Sequence, residues 1–322
     1  MPRSHFPTDP DENAASIVNA AELVFACLDA AGARSVAEVG AFHGKSTREL
    51  LGWAEGIGAR VVAIDPTPEP ALRELAAERD DLELIERTSI ETLADLDVDA
   101  VILDGDHNYY TLSEELRLIA DRAAGGHLPL LIFHDIGWPL ARRDAYYAPE
   151  RIPAEHRQRL VRNVYLVPDE AGTVAGGMPF ACVAAREGGP RNGILTAIED
   201  FAARRDELVF ASVPAFFGVG FAWDRGAPWA DAVAAVLAPW DRNPMLERLE
   251  ANRLRQMAER YRITKLLDDL EARSEPRDRL LRTMLGSRAI ALAERASAAV
   301  RRGEPAFSRE QIRAALDEHA DR

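Results

Sequence analysis

Five short apolar runs, each closing near a carboxylate or a histidine, constrain the fold of this chain more than any other feature. The first opens at Ser35-Val36 and reaches Val39; the others are Arg60–Asp65, Leu82–Glu86, Val98–Asp104 and Leu128–Asp135. Helix-forming stretches at 46–56, 68–79 and 111–124 lie between them. Uninterrupted apolar runs suit strands buried on both faces, whereas half-exposed strands alternate apolar and polar residues. Strand–helix alternation at this spacing predicts parallel pairing through right-handed crossovers. The expected class is α/β, a doubly wound, mostly parallel sheet.

The exit of the first strand, Ala37-Glu-Val-Gly-Ala-Phe-His-Gly-Lys-Ser-Thr47, reads as strand, glycine turn and helix start. Glycine admits positive φ and lets a ligand approach the main chain. The spacing Gly40-x-x-x-Gly44 differs from the Gly-x-Gly-x-x-Gly that seats a dinucleotide pyrophosphate, so the turn suits a nucleoside ligand lacking one. Asp65 ends the second strand, where a carboxylate can accept hydrogen bonds from ribose hydroxyls.

Four motifs recur in order: Glu38-Val-Gly40-x-x-x-Gly44-x-Ser46, Ile64-Asp65, Leu103-Asp-Gly-Asp-His107-x-Tyr109 and Phe133-His-Asp135. Together they resemble the class I S-adenosylmethionine-dependent methyltransferases. Within these they are most similar to the small-molecule O-methyltransferase branch with an Asp-Gly-Asp-His-x-Tyr fourth strand. The likeness covers roughly residues 34–136 and, more loosely, 191–224. It implies a seven-stranded Rossmann-like sheet and a cofactor site at Glu38, Gly40, Gly44, Ser46, Asp65, Ser89 and Asp104. Glu38 is expected to fix the turn through backbone hydrogen bonds and face the methionine part of the cofactor. Ser89 and Ile90 are expected to border the adenine.

Two routes to activating a hydroxyl acceptor stay open. Asp104 and Asp135 end neighbouring strands, which lie about 4.8 Å apart, so both carboxylates can converge on Mg²⁺. A metal there would lower the pKa of a substrate hydroxyl. Metal-dependent members of the branch carry a pair of acids after the fifth strand, whereas this chain has His134-Asp135. The other route uses His107 or His134 as general base, since histidine titrates near neutral pH. Tyr109, Trp138, Arg142, Arg143, Tyr146 and Tyr147 are expected to line the acceptor pocket, a mixture suited to a sugar or phenol with a polar rim.

The net charge of −14 disfavours nucleic acid as a partner, because phosphate binding needs clustered Lys and Arg. Cys27 and Cys182 fit neither a zinc spacing nor a disulfide framework. No run suits a signal peptide or a membrane span, which predicts a cytoplasmic protein with no membrane partner. A helix over 12–32, capped by Asp11 or Asn13, precedes the first strand, and a helix at 193–204 leads to a final antiparallel pair, 208–217 and 219–223. Residues 137–190 read as an irregular lid inserted at the carboxyl edge of the sheet. The expected domains are 1–227, the methyltransferase domain, and 228–322, a helical extension for packing or homo-oligomer formation. Its helices are expected from Pro244 to about Leu270, over Arg277–Arg302 and over Ser308–His319, the last with a Ser308–Gln311 capping box. Two rival functions remain. One is an NAD-dependent oxidoreductase, against which the missing middle glycine counts; the other is a non-catalytic cofactor-binding scaffold acting through its tail, against which Asp65, Asp104 and His107 count.

Overall fold

A computed structural model of the chain describes residues 15–300 and 308–320. Its centre is a seven-stranded sheet of β1 (Ser35–Val39), β2 (Arg60–Ile64), β3 (Leu82–Ile85), β4 (Ala100–Leu103), β5 (Leu130–Phe133), β8 (Leu208–Val213) and β9 (Val219–Asp224), interrupted in sequence by β6 (Leu160–Leu166) and β7 (Met178–Ala184). The spatial order is β3-β2-β1-β4-β5-β9-β8, with β9 antiparallel to β5 and β8 antiparallel to β9. The predicted doubly wound sheet is therefore present, with its strand order reversing between β1 and β4.

The uninterrupted apolar runs have a simple cause: alternate residues of each strand enter separate cores on the two faces. Val36, Val61, Ile102 and Ile132 join a core with helices α1 (Ala21–Ala31), α2 (Lys45–Glu55) and α7 (Ala230–Leu237). Ala37, Val62, Val101 and Leu131 join the other, with α5 (Tyr109–Arg122) and α6 (Ile194–Ala202). Helix α3 (Pro70–Glu78) and the single turn α4 (Ser89–Thr92) complete the crossovers.

Register decides what meets at the carboxyl edge. Leu103 is level with Val39 on one side and Phe133 on the other, so Asp104 and His134 emerge side by side. The backbone bonds Asp104 N to Val39 O (3.1 Å) and His134 N to Leu103 O (3.2 Å) carry the pairing one residue past the strands.

The first expected helix divides into a 3-10 turn, Ile17–Ala20, and α1; Ser16 caps the turn, while Asp11 and Asn13 lie outside the described residues. The 137–190 insertion is not irregular throughout. It contains the antiparallel hairpin β6–β7, which forms a separate two-stranded sheet. Pro179 and the Gly176-Gly177 pair read as loop, and Asn163 turns to φ 51° in β6, interrupting its alternation.

Two compact units are present, Met1–Glu259 and Arg260–Arg322, and they divide within helix α8. This helix runs unbroken from Pro244 to Gly286 through Pro276, where the sequence predicts two helices. The second unit also contains α9 (Arg288–Val300) and α10 (Arg309–Ala320), joined by Arg309 N donating to Glu294 Oε1 at 2.9 Å. Ser308 N donates to Gln311 Oε1 (3.0 Å) and Gln311 N to Ser308 Oγ (3.1 Å), so the predicted capping box forms. Among the described residues no helix is long and apolar enough to cross a membrane.

Candidate active site

Gly40 and Gly44 both take left-handed backbone, φ 89° and 72°. Glu38, only 1% exposed, accepts from the hydroxyls of Ser46 and Thr47 (2.5 Å for Thr47) on the first turn of α2. It thus braces the turn through side-chain hydroxyls, in place of the expected backbone amides. Burial pushes its carboxyl up to about 7, helped by the charges of Asp104 and Asp65 and opposed by the two hydroxyls. Asp65 accepts from Phe42 N (2.9 Å) and Thr67 N (2.8 Å), which ties the end of β2 to the glycine turn. Lys45, passed over in the sequence, has its ammonium buried in this turn without a hydrogen-bond partner.

Ser89 is buried at the start of α4. Its hydroxyl donates to Glu115 Oε1 at 2.5 Å, linking α4 to α5. Burial raises the Glu115 carboxyl to about 8, against the Ser89 bond that lowers it. An acid whose folded pKa lies above its unfolded one binds the extra proton in the native state, so stability falls as pH rises between about 4.5 and 8. Glu115→Gln keeps an acceptor for Ser89 and has no proton to lose. Relative to wild type it is expected to gain on the order of a few kcal/mol between pH 5 and pH 8.5 in urea titrations. An unchanged difference across that range would show that Glu115 is not held protonated.

At the ends of β4 and β5 four titratable groups meet. His107 Nε2 lies 3.3 Å from Asp104 Oδ1 and 3.1 Å from Asp135 Oδ2. His134 Nδ1 lies 3.1 Å from Asp104 Oδ1 and 3.6 Å from Asp135 Oδ1. His134 Nε2 lies 2.9 Å from the Phe216 carbonyl oxygen, which can only accept, so this nitrogen carries hydrogen. Since Nδ1 faces carboxylates, both ring nitrogens of His134 are donors and the ring is an imidazolium. Burial opposes that charge, but Asp104 and Asp135 outweigh it and raise His134 to about 9. His134 is therefore unsuited to act as a base near neutral pH.

His107 differs. Its Nε2 hydrogen points at the carboxylates, while Nδ1 is buried and has no hydrogen-bond partner. Burial lowers its pKa, and Asp135 and Asp104 more than offset this, so the net shift is upward. Burial also works to raise Asp104, yet the charge of His134 and bonds from both histidines hold it below the ordinary carboxylate range. Asp135, at φ 59°, is raised by burial despite the histidines.

Of the residues expected to line an acceptor pocket, Tyr147 borders this cluster: its ring meets His107 edge-on at 5.9 Å and is 77% exposed. Trp138 is half-buried in the turn after Asp135. The other four serve the fold. Tyr109 donates its hydroxyl to Asp200 (2.7 Å) on α6. Arg142 forms a fork with Glu199 (2.5 and 2.6 Å), also on α6. Arg143 is buried, donating to the carbonyls of Ala184 (2.7 Å) and Ala171 (2.8 Å). Tyr146 is buried and donates to Asp144 (2.8 Å). Asp144, which no sequence motif marks, also accepts from Tyr109 N (2.8 Å) and Gly193 N (2.7 Å) and so ties the insertion to α5 and α6.

Residues 37–136 match a family model described as a methyltransferase domain, and this stretch holds the glycine turn, Asp65 and the whole acid–histidine cluster. The match spans about a third of the chain, and all four motifs likened above to S-adenosylmethionine-dependent methyltransferases fall within it. The match leaves the nicotinamide alternative without support. No curated protein matches the chain. Similar solved structures include the Podospora anserina methyltransferase PaMTH1 bound to S-adenosylhomocysteine (18% identity, 67% of this chain and 82% of that one, TM-score 0.41). Another is the Streptomyces davawensis N,N-8-amino-8-demethyl-D-riboflavin dimethyltransferase RosA (15%, 65% and 54%, TM-score 0.38). A third is the N-methyltransferase NodS of Bradyrhizobium japonicum WM9 (13%, 66% and 97%, TM-score 0.36).

Proposed function

We propose that the chain transfers a methyl group from S-adenosylmethionine to a hydroxyl of a small molecule, with His107 as general base. The observation that carries this reading is the buried, unpartnered Nδ1 of His107 beside an Nε2 already directed at Asp104 and Asp135. A carboxylate that fixes one ring nitrogen leaves the other as the basic atom. The cofactor supplies an electrophilic methyl on a sulfonium. Nδ1 takes the acceptor's hydroxyl proton as its oxygen attacks that methyl. His134, held cationic, balances the paired carboxylates and keeps them in place. Gly40 lets the glycine turn close against the β4 backbone at Asp104 and Gly105, Asp65 offers its remaining lone pairs to ribose hydroxyls, and the buried Lys45 ammonium supplies a counter-charge for a carboxylate. Tyr147 forms the exposed wall on the acceptor side.

A second reading is favoured by the convergence of donors: Asp104, His107 and Asp135 each offer an atom, all within 4.8 Å of one another. The two carboxylates suit Mg²⁺, but the third donor is an imidazole and the His134 cation already neutralises part of their charge. This set fits a divalent cation that accepts nitrogen as well as oxygen better than it fits Mg²⁺. A cation there would hold and acidify the acceptor hydroxyl. On this reading excess chelator and Asp135→Ala each abolish turnover with cofactor affinity retained; full turnover in chelator leaves His107 alone as the activating group.

Calorimetric titration with S-adenosylhomocysteine, beside NAD, tests the cofactor assignment. Micromolar binding of the former is expected, with Asp65→Ala weakening it about 10- to 100-fold, the range of a lost hydrogen bond to a charged group. Absence of binding, or binding of NAD in its place, would overturn the proposal.

A further inference from the structure

We infer that Glu250 and Arg253, on the first turns of α8, are positioning residues of the active site, acting through the Phe216–Gly218 turn on His134. Phe216 and Phe217 both sit in the left-handed region, φ 54° and 66°, which bulky side chains rarely adopt unless held there. On one side the turn is held by Asp135's own neighbours: Ile136 N donates to Gly218 O (3.3 Å) and Gly137 N to Phe217 O (2.5 Å). On the other side it is held by α8. Phe217 N donates to Glu250 Oε1 at 2.7 Å, and the Arg253 guanidinium lies over the Phe217 ring, 4.6 Å from its centroid. Glu250 and Arg253 are in turn locked together by two bonds of 2.7 Å.

What this conformation presents is the Phe216 carbonyl, aimed at His134 Nε2. That acceptor holds the Nε2 end of the ring, so that Nδ1 at the other end meets Asp104. The start of α8 belongs to the same compact unit as the sheet, so this segment of the tail completes the site. The functional meaning rests on reading the acid–histidine cluster as the acceptor-activating site; the coupling itself stands on the bonds above.

The test uses the full chain labelled with ¹⁵N-histidine, and long-range ¹H–¹⁵N spectra with the His134 signals assigned by their loss in His134→Gln. Wild type is expected to show both His134 nitrogens protonated and a slowly exchanging Nε2 hydrogen. Glu250→Ala is expected to speed that exchange by about ten-fold or more and to shift both nitrogens, as local opening of the turn exposes the bond. Glu250→Gln still accepts from Phe217 N and is expected to stay within about three-fold of wild type. Arg255→Ala, on the same helix, breaks an exposed contact with Asp169 of the β6–β7 loop and should change nothing. If Glu250→Ala fails to fold, Arg253→Lys and Arg253→Ala read the same signal, with the larger exchange increase expected for Ala. Wild-type exchange and shifts in every folded variant would overturn the inference. S-adenosylhomocysteine titration of the same samples separates the two ideas: no binding by wild type sinks the methyltransferase assignment and leaves the His134 result standing.

Discussion

Gly40→Ala is expected to abolish S-adenosylhomocysteine binding, lowering affinity by about 100-fold or more, and to cost about 2–6 kcal/mol of stability as strain and overpacking combine. A Cβ at this position would sit 2.3 Å from the Asp104 carbonyl oxygen and 2.6 Å from Gly105 Cα. Both are backbone atoms and cannot rotate aside. Relief requires β1 and β4 to part at their carboxyl ends, where the glycine turn and Asp104 begin. Gly44→Ala makes the comparison informative, since its Cβ would come closest, at 3.0 Å, to the Leu72 Cδ1, the far end of a flexible side chain. It is expected to cost less in both thermal denaturation and titration. If Gly40→Ala bound the ligand as wild type does, the turn would not be the cofactor's seat.

The second large effect falls on His107. His107→Gln should slow methyl transfer to any accepted hydroxyl about 10²–10⁴-fold, the usual contribution of a general base, with S-adenosylhomocysteine affinity within about three-fold of wild type. The pH dependence has a defined sign. The base works when deprotonated, and its pKa is raised above 6.5 by Asp135 and Asp104 against burial. Turnover is therefore low at pH 6 and rises with pH through a midpoint above 6.5. His134, raised to about 9, remains charged through that rise and keeps the carboxylates paired. Turnover already flat across pH 6–8 would exclude His107 as the titrating base.

The sheet and its carboxyl edge were legible because they depend on local rules. Strand ends fall where apolar runs meet Asp65, Asp104 and His134, and register then forces Asp104 beside His134. The choice between the two histidines was not legible. It depends on one carbonyl, that of Phe216, more than 80 residues away in sequence and aimed by a strained turn. The acceptor side was hidden for a related reason. Arginines and tyrosines in an insertion suggest ligand contacts, but whether Arg142 meets a substrate or Glu199 depends on how the insertion docks. The long α8 helix defied Pro276, which local rules treat as a stop, whereas the Ser308–Gln311 cap, a purely local device, formed as expected.

Asp144 anchors the insertion beside the acid–histidine cluster. Its fully buried carboxylate accepts from three donors on three segments, so the insertion cannot swing as a flap without unpairing it. If the acid–histidine cluster activates the acceptor, specificity is set by which side chains the anchored segment displays, with Tyr147, beside His107, first among them. On that reading, substitutions at its exposed positions alter the acceptor while leaving the backbone undisturbed, so a change of substrate needs no more than one residue at a time.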